Sequence, residues 1–95
     1  RTKGQNMKKY SREEIESGVR EIIAQVMRLK TDEVKLDDLM KEDIGCDSID
    51  CVEIVIELEK EFGINIPDNE VDAAAGWTVS ELCDYVEERL KERKK

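Results

Sequence analysis

Histidine is absent from the 95 residues. Its absence removes Ser-His-Asp and Cys-His nucleophile pairs, and with them the side chain that most often exchanges protons near neutral pH. The three cysteines, Cys46, Cys51 and Cys83, are odd in number and lack the CxxC spacing of a metal site. They read as small core or near-surface residues of a chain expected in the reducing cytoplasm, since neither a signal peptide nor an apolar run of membrane-spanning length is present. Aromatic residues make up only 4% of the chain and proline occurs once. So small and aromatic-poor a chain forms one modest core rather than a deep cleft. The carboxylates of Asp43, Asp47, Asp50 and Glu53 are therefore not expected to act as a catalytic acid–base pair. Neither Asp37 and Asp38 nor the stretch from Asp43 to Asp50 fits the register of a calcium-binding loop, so no metal site is expected.

Charge is abundant. Charged residues are 42% of the chain and the net charge is −8. Residues 32–72 hold fifteen acids against Lys35, Lys41 and Lys60, whereas residues 1–12 hold five basic residues and no acid. Arg89, Lys91, Arg93, Lys94 and Lys95 make the end basic again. The acidic middle repels nucleic acid and anionic membranes and attracts basic protein surfaces, unless it only solubilises the domain.

The segment RTKGQN lacks periodicity, so residues 1–6 read as an appended remnant or a disordered basic arm ahead of a domain spanning 7–92, with 93–95 a frayed basic tail. Ser11 and Glu14 form a capping box, and Ile15, Val19, Ile22, Ile23 and Val26 recur on one face, predicting a helix to Met27 or Leu29. From Thr31 to Cys46 no stripe is sustained. A long loop is expected there, anchored by Val34, Leu36, Leu39 and Ile44, with a short helical turn near Asp37–Lys41. After Gly45 a second helix is predicted to end at Phe62-Gly63, its apolar face formed by Ile54, Val55, Leu58 and Phe62. Ile64 to Ile66 should be extended ahead of Pro67. A short third helix, capped by Asp68 and stopped by Gly76, should turn Val71 inward. Thr78 and Glu81 form a capping box for the last helix, with Val79, Leu82, Cys83, Val86 and Leu90 on its stripe. Three long helices and one short one predict an all-α four-helix bundle with a long first loop.

At the start of the second helix, Asp47 or Ser48 occupies the capping position and Asp50 completes a box-like arrangement. An exposed serine there is either a cap or a modification site. The run DIGCDSIDCVEI from Asp43 to Ile54 resembles the prosthetic-group site of acyl carrier proteins, whose Gly-x-Asp-Ser-Leu-like element corresponds to Gly45-Cys46-Asp47-Ser48-Ile49. The likeness continues through Leu58, Phe62 and Ile66-Pro67-Asp68 and spans roughly residues 8–92. It implies a monomeric, non-enzymatic carrier whose Ser48 receives 4′-phosphopantetheine from coenzyme A through a phosphopantetheinyl transferase. Acyl groups would then ride as thioesters to ketoacyl synthases and other fatty-acid or polyketide enzymes.

The resemblance also assigns roles to neighbouring residues. Asp47, Asp50, Glu53 and Glu57 would form a docking face for basic partner patches, with apolar contacts from Ile49, Val52 and Ile56. Cys51, Val55, Ile66 and Val71 become candidates for an acyl pocket. Ile49 stands where leucine is commoner, Cys46 where small residues are usual, and the link from Ala73 to Trp77 is longer than the family's. Trp77 either plugs the end of the bundle or faces a partner. The competing readings are an aminoacyl or peptidyl carrier, which is usually less acidic on this helix, and a non-carrier acidic adaptor binding basic proteins.

Overall fold

The computed structural model describes residues 10–92. Four α-helices form the frame: α1 (Arg12–Met27), α2 (Ser48–Phe62), α3 (Asp68–Ala74) and α4 (Val79–Glu92). No β-strand occurs among the described residues; a single bridge pairs Leu39 with Thr78. The all-α bundle expected from the apolar periodicities is the fold observed. Residues 1–6 and 93–95, read as remnant or arm and as tail, lie outside the described residues.

The helix starts follow local chemistry. At α1, Ser11 Oγ accepts from the Glu14 N–H and Glu14 accepts from the Ser11 N–H, at 3.1 and 2.9 Å. Thr78 and Glu81 repeat the exchange at α4. Each box satisfies two backbone donors that a helix start would otherwise leave unpaired. The predicted cap of α3 is corrected: Pro67 occupies the capping position, Asp68 is already helical, and no side chain caps this helix. Proline's fixed φ suits entry into a helix but provides no side-chain acceptor. Its last helical residue is Ala74, and Ala75, in right-handed conformation, holds the C-terminal capping position one residue ahead of Gly76.

Helix α1 packs against both α2 and α4. The core takes Ile15, Val19 and Ile23 from α1, Ile54, Leu58 and Phe62 from α2, and Val79, Cys83 and Val86 from α4. Burying an aliphatic or aromatic side chain of this size contributes about 1.5–3 kcal/mol, so these stripes dominate the stability. The approach of α1 to α2 is close at Gly18, where an added Cβ would lie 2.9 Å from the Phe62 ring. Arg12 fastens the first turn of α1 to α4 through 2.8 Å ion pairs with Asp84 and Glu87, while also pairing with Glu16. The hydrogen bond with Glu16, ahead of those with Asp84 and Glu87, holds the guanidinium more firmly protonated than usual.

The first loop is more ordered than its sequence pattern suggests. It contains a 3-10 turn at Thr31–Glu33 and a π-helical turn at Met40–Ile44, so the helical turn expected near Asp37–Lys41 lies further along the chain. Val34 is a buried anchor as expected, Leu36, Leu39 and Ile44 are half-buried, and Met40 and Cys46 are buried as well. The loop is held from two sides. Arg20 donates to the carbonyls of Val34 and Thr31. On the other side, backbone bonds join Met40 N–H to Trp77, Val79 N–H to Asp38 and Ser80 N–H to Leu36, at 2.8–2.9 Å. The segment leading into α4 thus serves as the loop's pairing partner. Trp77 is half-buried, its ring 5.3 Å from that of Tyr85.

Candidate functional site

Helix α2 begins where the first loop turns at Gly45, whose φ of 88° lies in the left-handed region that costs other residues a steric penalty. Asp47 then caps the helix. Its Oδ1 accepts from the Asp50 N–H at 2.9 Å, and Asp50 Oδ2 accepts from the Asp47 N–H at 3.2 Å. The choice between Asp47 and Ser48 as cap is thereby resolved. Ser48 is the first helical residue, exposed, with its hydroxyl outside the capping box.

The solvent side of α2 departs from ordinary amphipathic patterning. Ile49 is 70% exposed, Val52 47% and Ile56 46%. Their spacing of three and four residues places them along one line of the helix surface. Asp47, Glu53 and Glu57 are also exposed, and Asp50 is half-buried at the cap. Glu57 lies 3.7 Å from Lys60. The structure thus puts Ser48, the exposed aliphatics and these carboxylates on one accessible side of one rigid helix. Part of the accepting capacity of Asp47 and Asp50 goes to the cap, leaving Glu53 and Glu57 as the more outward charges.

The four pocket candidates divide. Val55, Ile66 and Val71 share a surface groove between α2 and α3 with a volume of about 450 Å³, bordered also by Val52, Ile56 and Glu59. Cys51 lies apart from that groove, buried near the start of α2. Sequence reasoning missed what holds the groove's far wall. Glu59 Oε2 accepts from the Ile66 N–H at 2.8 Å, Tyr85 donates to Glu70, and Arg89 donates to the Asn65 carbonyl at 3.1 Å. Apolar periodicity carries no signal for such contacts.

The thiols near Ser48 are poor nucleophiles. Burial, followed by the neighbouring Cys51, Asp50 and Asp47, pushes Cys46 up to about 12. Cys51 is raised chiefly by burial too, and Cys83, in the core, is pushed up to about 11. Among the described residues no cluster of carboxylates and cysteines could hold a metal ion, and no helix is long and apolar enough to cross a membrane.

Ser48 fits a bulky modification: the hydroxyl is exposed, another residue caps the helix, and rigid backbone supports it. The start of a 15-residue helix favours a phosphodiester. Such a site, an exposed hydroxyl at the start of a capped helix, is suited to carrying a covalently attached group. Residues 17–86 match the family described as the phosphopantetheine attachment site. The chain is 41% identical over 69 residues to an acyl carrier protein of Sulfurovum sp. (strain NBC37-1), covering 73% of this chain and 89% of that one. It is 35% identical over 80 residues to an acyl carrier protein of Campylobacter hominis, covering 84% and 99% respectively. The chain belongs to the phosphopantetheine-attachment family, as an acyl carrier protein. It is a carrier and not an enzyme, its prosthetic group is 4′-phosphopantetheine, and its working partners are a phosphopantetheinyl transferase and acyl-processing enzymes.

Proposed function

We propose that Ser48 is the attachment point and that α2 is the docking face through which partner enzymes reach it. The observation that carries the attachment is the division of labour at the helix start, where Asp47 makes the cap and Ser48 is left exposed beside it. When bound, the phosphopantetheine supplies a flexible arm ending in a thiol that holds acyl groups as thioesters. The chain's own residues present that arm and keep its chemistry distinct. With Cys46, Cys51 and Cys83 buried and their thiols held protonated, the arm's thiol is the one that reacts readily.

Docking follows from Asp47, Asp50, Glu53 and Glu57 beside Ile49, Val52 and Ile56. The carboxylates steer a basic partner surface, and the aliphatics give it a modest apolar contact that releases readily. Partners of this kind include ketoacyl synthases of fatty-acid or polyketide synthesis, met by a monomer in the cytoplasm. The groove lined by Val55, Ile66 and Val71 is the seat offered to the acyl chain. Intact mass after incubation with coenzyme A and a broad-specificity transferase tests the attachment. Wild type should gain one phosphopantetheine and Ser48→Ala none; a gain retained in Ser48→Ala would move the site elsewhere.

A further inference from the structure

The far wall of the groove is the least self-sufficient element of the fold. Helix α3 has seven residues and no side-chain cap, and helices this short are marginal without tertiary support. It turns only Val71 and Ala74 into the interior. Its polar tether to α4 is the hydrogen bond that the Tyr85 hydroxyl donates to Glu70. The Tyr85 ring is fixed by Trp77 on one side, with centroids 5.3 Å apart, and by the Arg89 guanidinium 5.8 Å from its centroid. Held in this way, the hydroxyl has a set direction. Burial, followed by the bond to Glu70, pushes the phenol up to about 12, so it remains a donor throughout the physiological range.

Val55, Ile66 and Val71 are nearly closed off from solvent. A chain that goes beyond the open groove and enters deeply between α2 and α3 therefore has to move α3 outward, because these buried side chains close the groove's floor. Ile66 is bonded to Glu59 of α2, and Asn65 to Arg89 of α4, so the segment ahead of α3 resists that movement. The body of α3 is restrained by Tyr85–Glu70. We propose that this hydrogen bond sets the length of acyl chain the protein shelters, a role that rests on the α2–α3 groove being the acyl seat. Short chains fit with the bond intact. Longer chains shelter only by breaking it, and Tyr85 and Glu70 act as positioning residues for cargo length.

Two measurements separate this role from a merely structural one. In the protein without its prosthetic group, amide hydrogen exchange across residues 70–75 of Tyr85→Phe should rise about two- to tenfold, the factor corresponding to one net hydrogen bond. Glu70→Ala should match it, and Glu70→Gln, which keeps an acceptor oxygen, should stay near wild type. In the second measurement, each protein is loaded from butyryl-, hexanoyl-, octanoyl- and decanoyl-coenzyme A, and thioester cleavage by hydroxylamine is timed. Wild type should shelter the shorter chains better than the longer ones. Tyr85→Phe should slow cleavage of the longest chains about two- to tenfold, with little change for butyryl.

Unchanged exchange in Tyr85→Phe would overturn the tether. Faster exchange with an unaltered length profile would overturn the cargo role while leaving the groove as acyl seat. A wild-type profile without any length dependence would instead remove the groove reading itself.

Discussion

Helices α1 and α2 are nearly matched in length, at 16 and 15 residues, and both open with a capping box. Both bury one apolar stripe in the same core. Their solvent sides differ. No large hydrophobic residue of α1 is among the exposed ones, whereas α2 exposes Ile49, Val52 and Ile56 beside Ser48. Scattered exposed aliphatics are ordinary, but three along one line next to a modifiable hydroxyl are not explained by folding. The same local rules build both helices, and the surplus on α2 is what supports the proposal that this side docks partners.

The comparison breaks if the two sides of α2 turn out to be energetically alike. Leu58→Ala removes a fully buried side chain and should cost about 2–5 kcal/mol, lowering the melting temperature by about 10 °C or more. Val52→Ala on the other side should stay within about 0.5 kcal/mol of wild type. Comparable losses in thermal denaturation would contradict the assignment of faces.

Smaller effects sharpen the comparison at the helix ends. Asp47→Ala deletes the cap of α2 and should cost about 1 kcal/mol in urea unfolding, without preventing modification of Ser48. A neutral result would mean that another group takes over the cap. At the opposite ends, α1 closes on Arg28 with φ 61° and α2 on Gly63 with φ 66°. Only glycine adopts this conformation without steric cost, so Arg28→Gly should stabilise by about 0.5–1 kcal/mol and Gly63→Ala destabilise by about 1 kcal/mol. Equal effects of the same sign would show that the backbone relaxes at one of the two ends.

Salt gives the smallest effect. Among the described residues one ion pair, Lys60–Glu57, engages an acid of residues 32–72. Repulsion among the rest should be screened by added salt, raising the melting temperature by about a few degrees between low and moderate ionic strength. A flat response would mean that repulsion in this stretch contributes little to stability.

The features legible in sequence were those governed by local rules. Capping boxes at Ser11 and Thr78, the stripes of α1, α2 and α4, and the stop at Gly63 depend on neighbours within one or two turns. Ser48 stands out as the proposed attachment point because its surroundings form a continuous motif. Contacts between distant segments were not legible. Met40 is buried and its N–H pairs with the carbonyl of Trp77, a distant partner that no periodicity identifies. The same pairing orders the long first loop and accounts for the extended link ahead of α4. The Asp68 cap failed because Pro67 already holds the capping geometry. Cys51 was a groove candidate through the family resemblance, and in the structure it does not line the groove.

The central claim, that α2 and not α1 is the face partners recognise, is tested most directly by paired charge reversals. The kcat/KM for phosphopantetheine transfer would be measured at low salt for Glu53→Lys on α2 and Glu13→Lys on α1, both exposed positions. The expected result is a loss of about tenfold or more for Glu53→Lys that shrinks as salt is added, with Glu13→Lys close to wild type. Equal rates for the two variants, or a larger loss for Glu13→Lys, would contradict it.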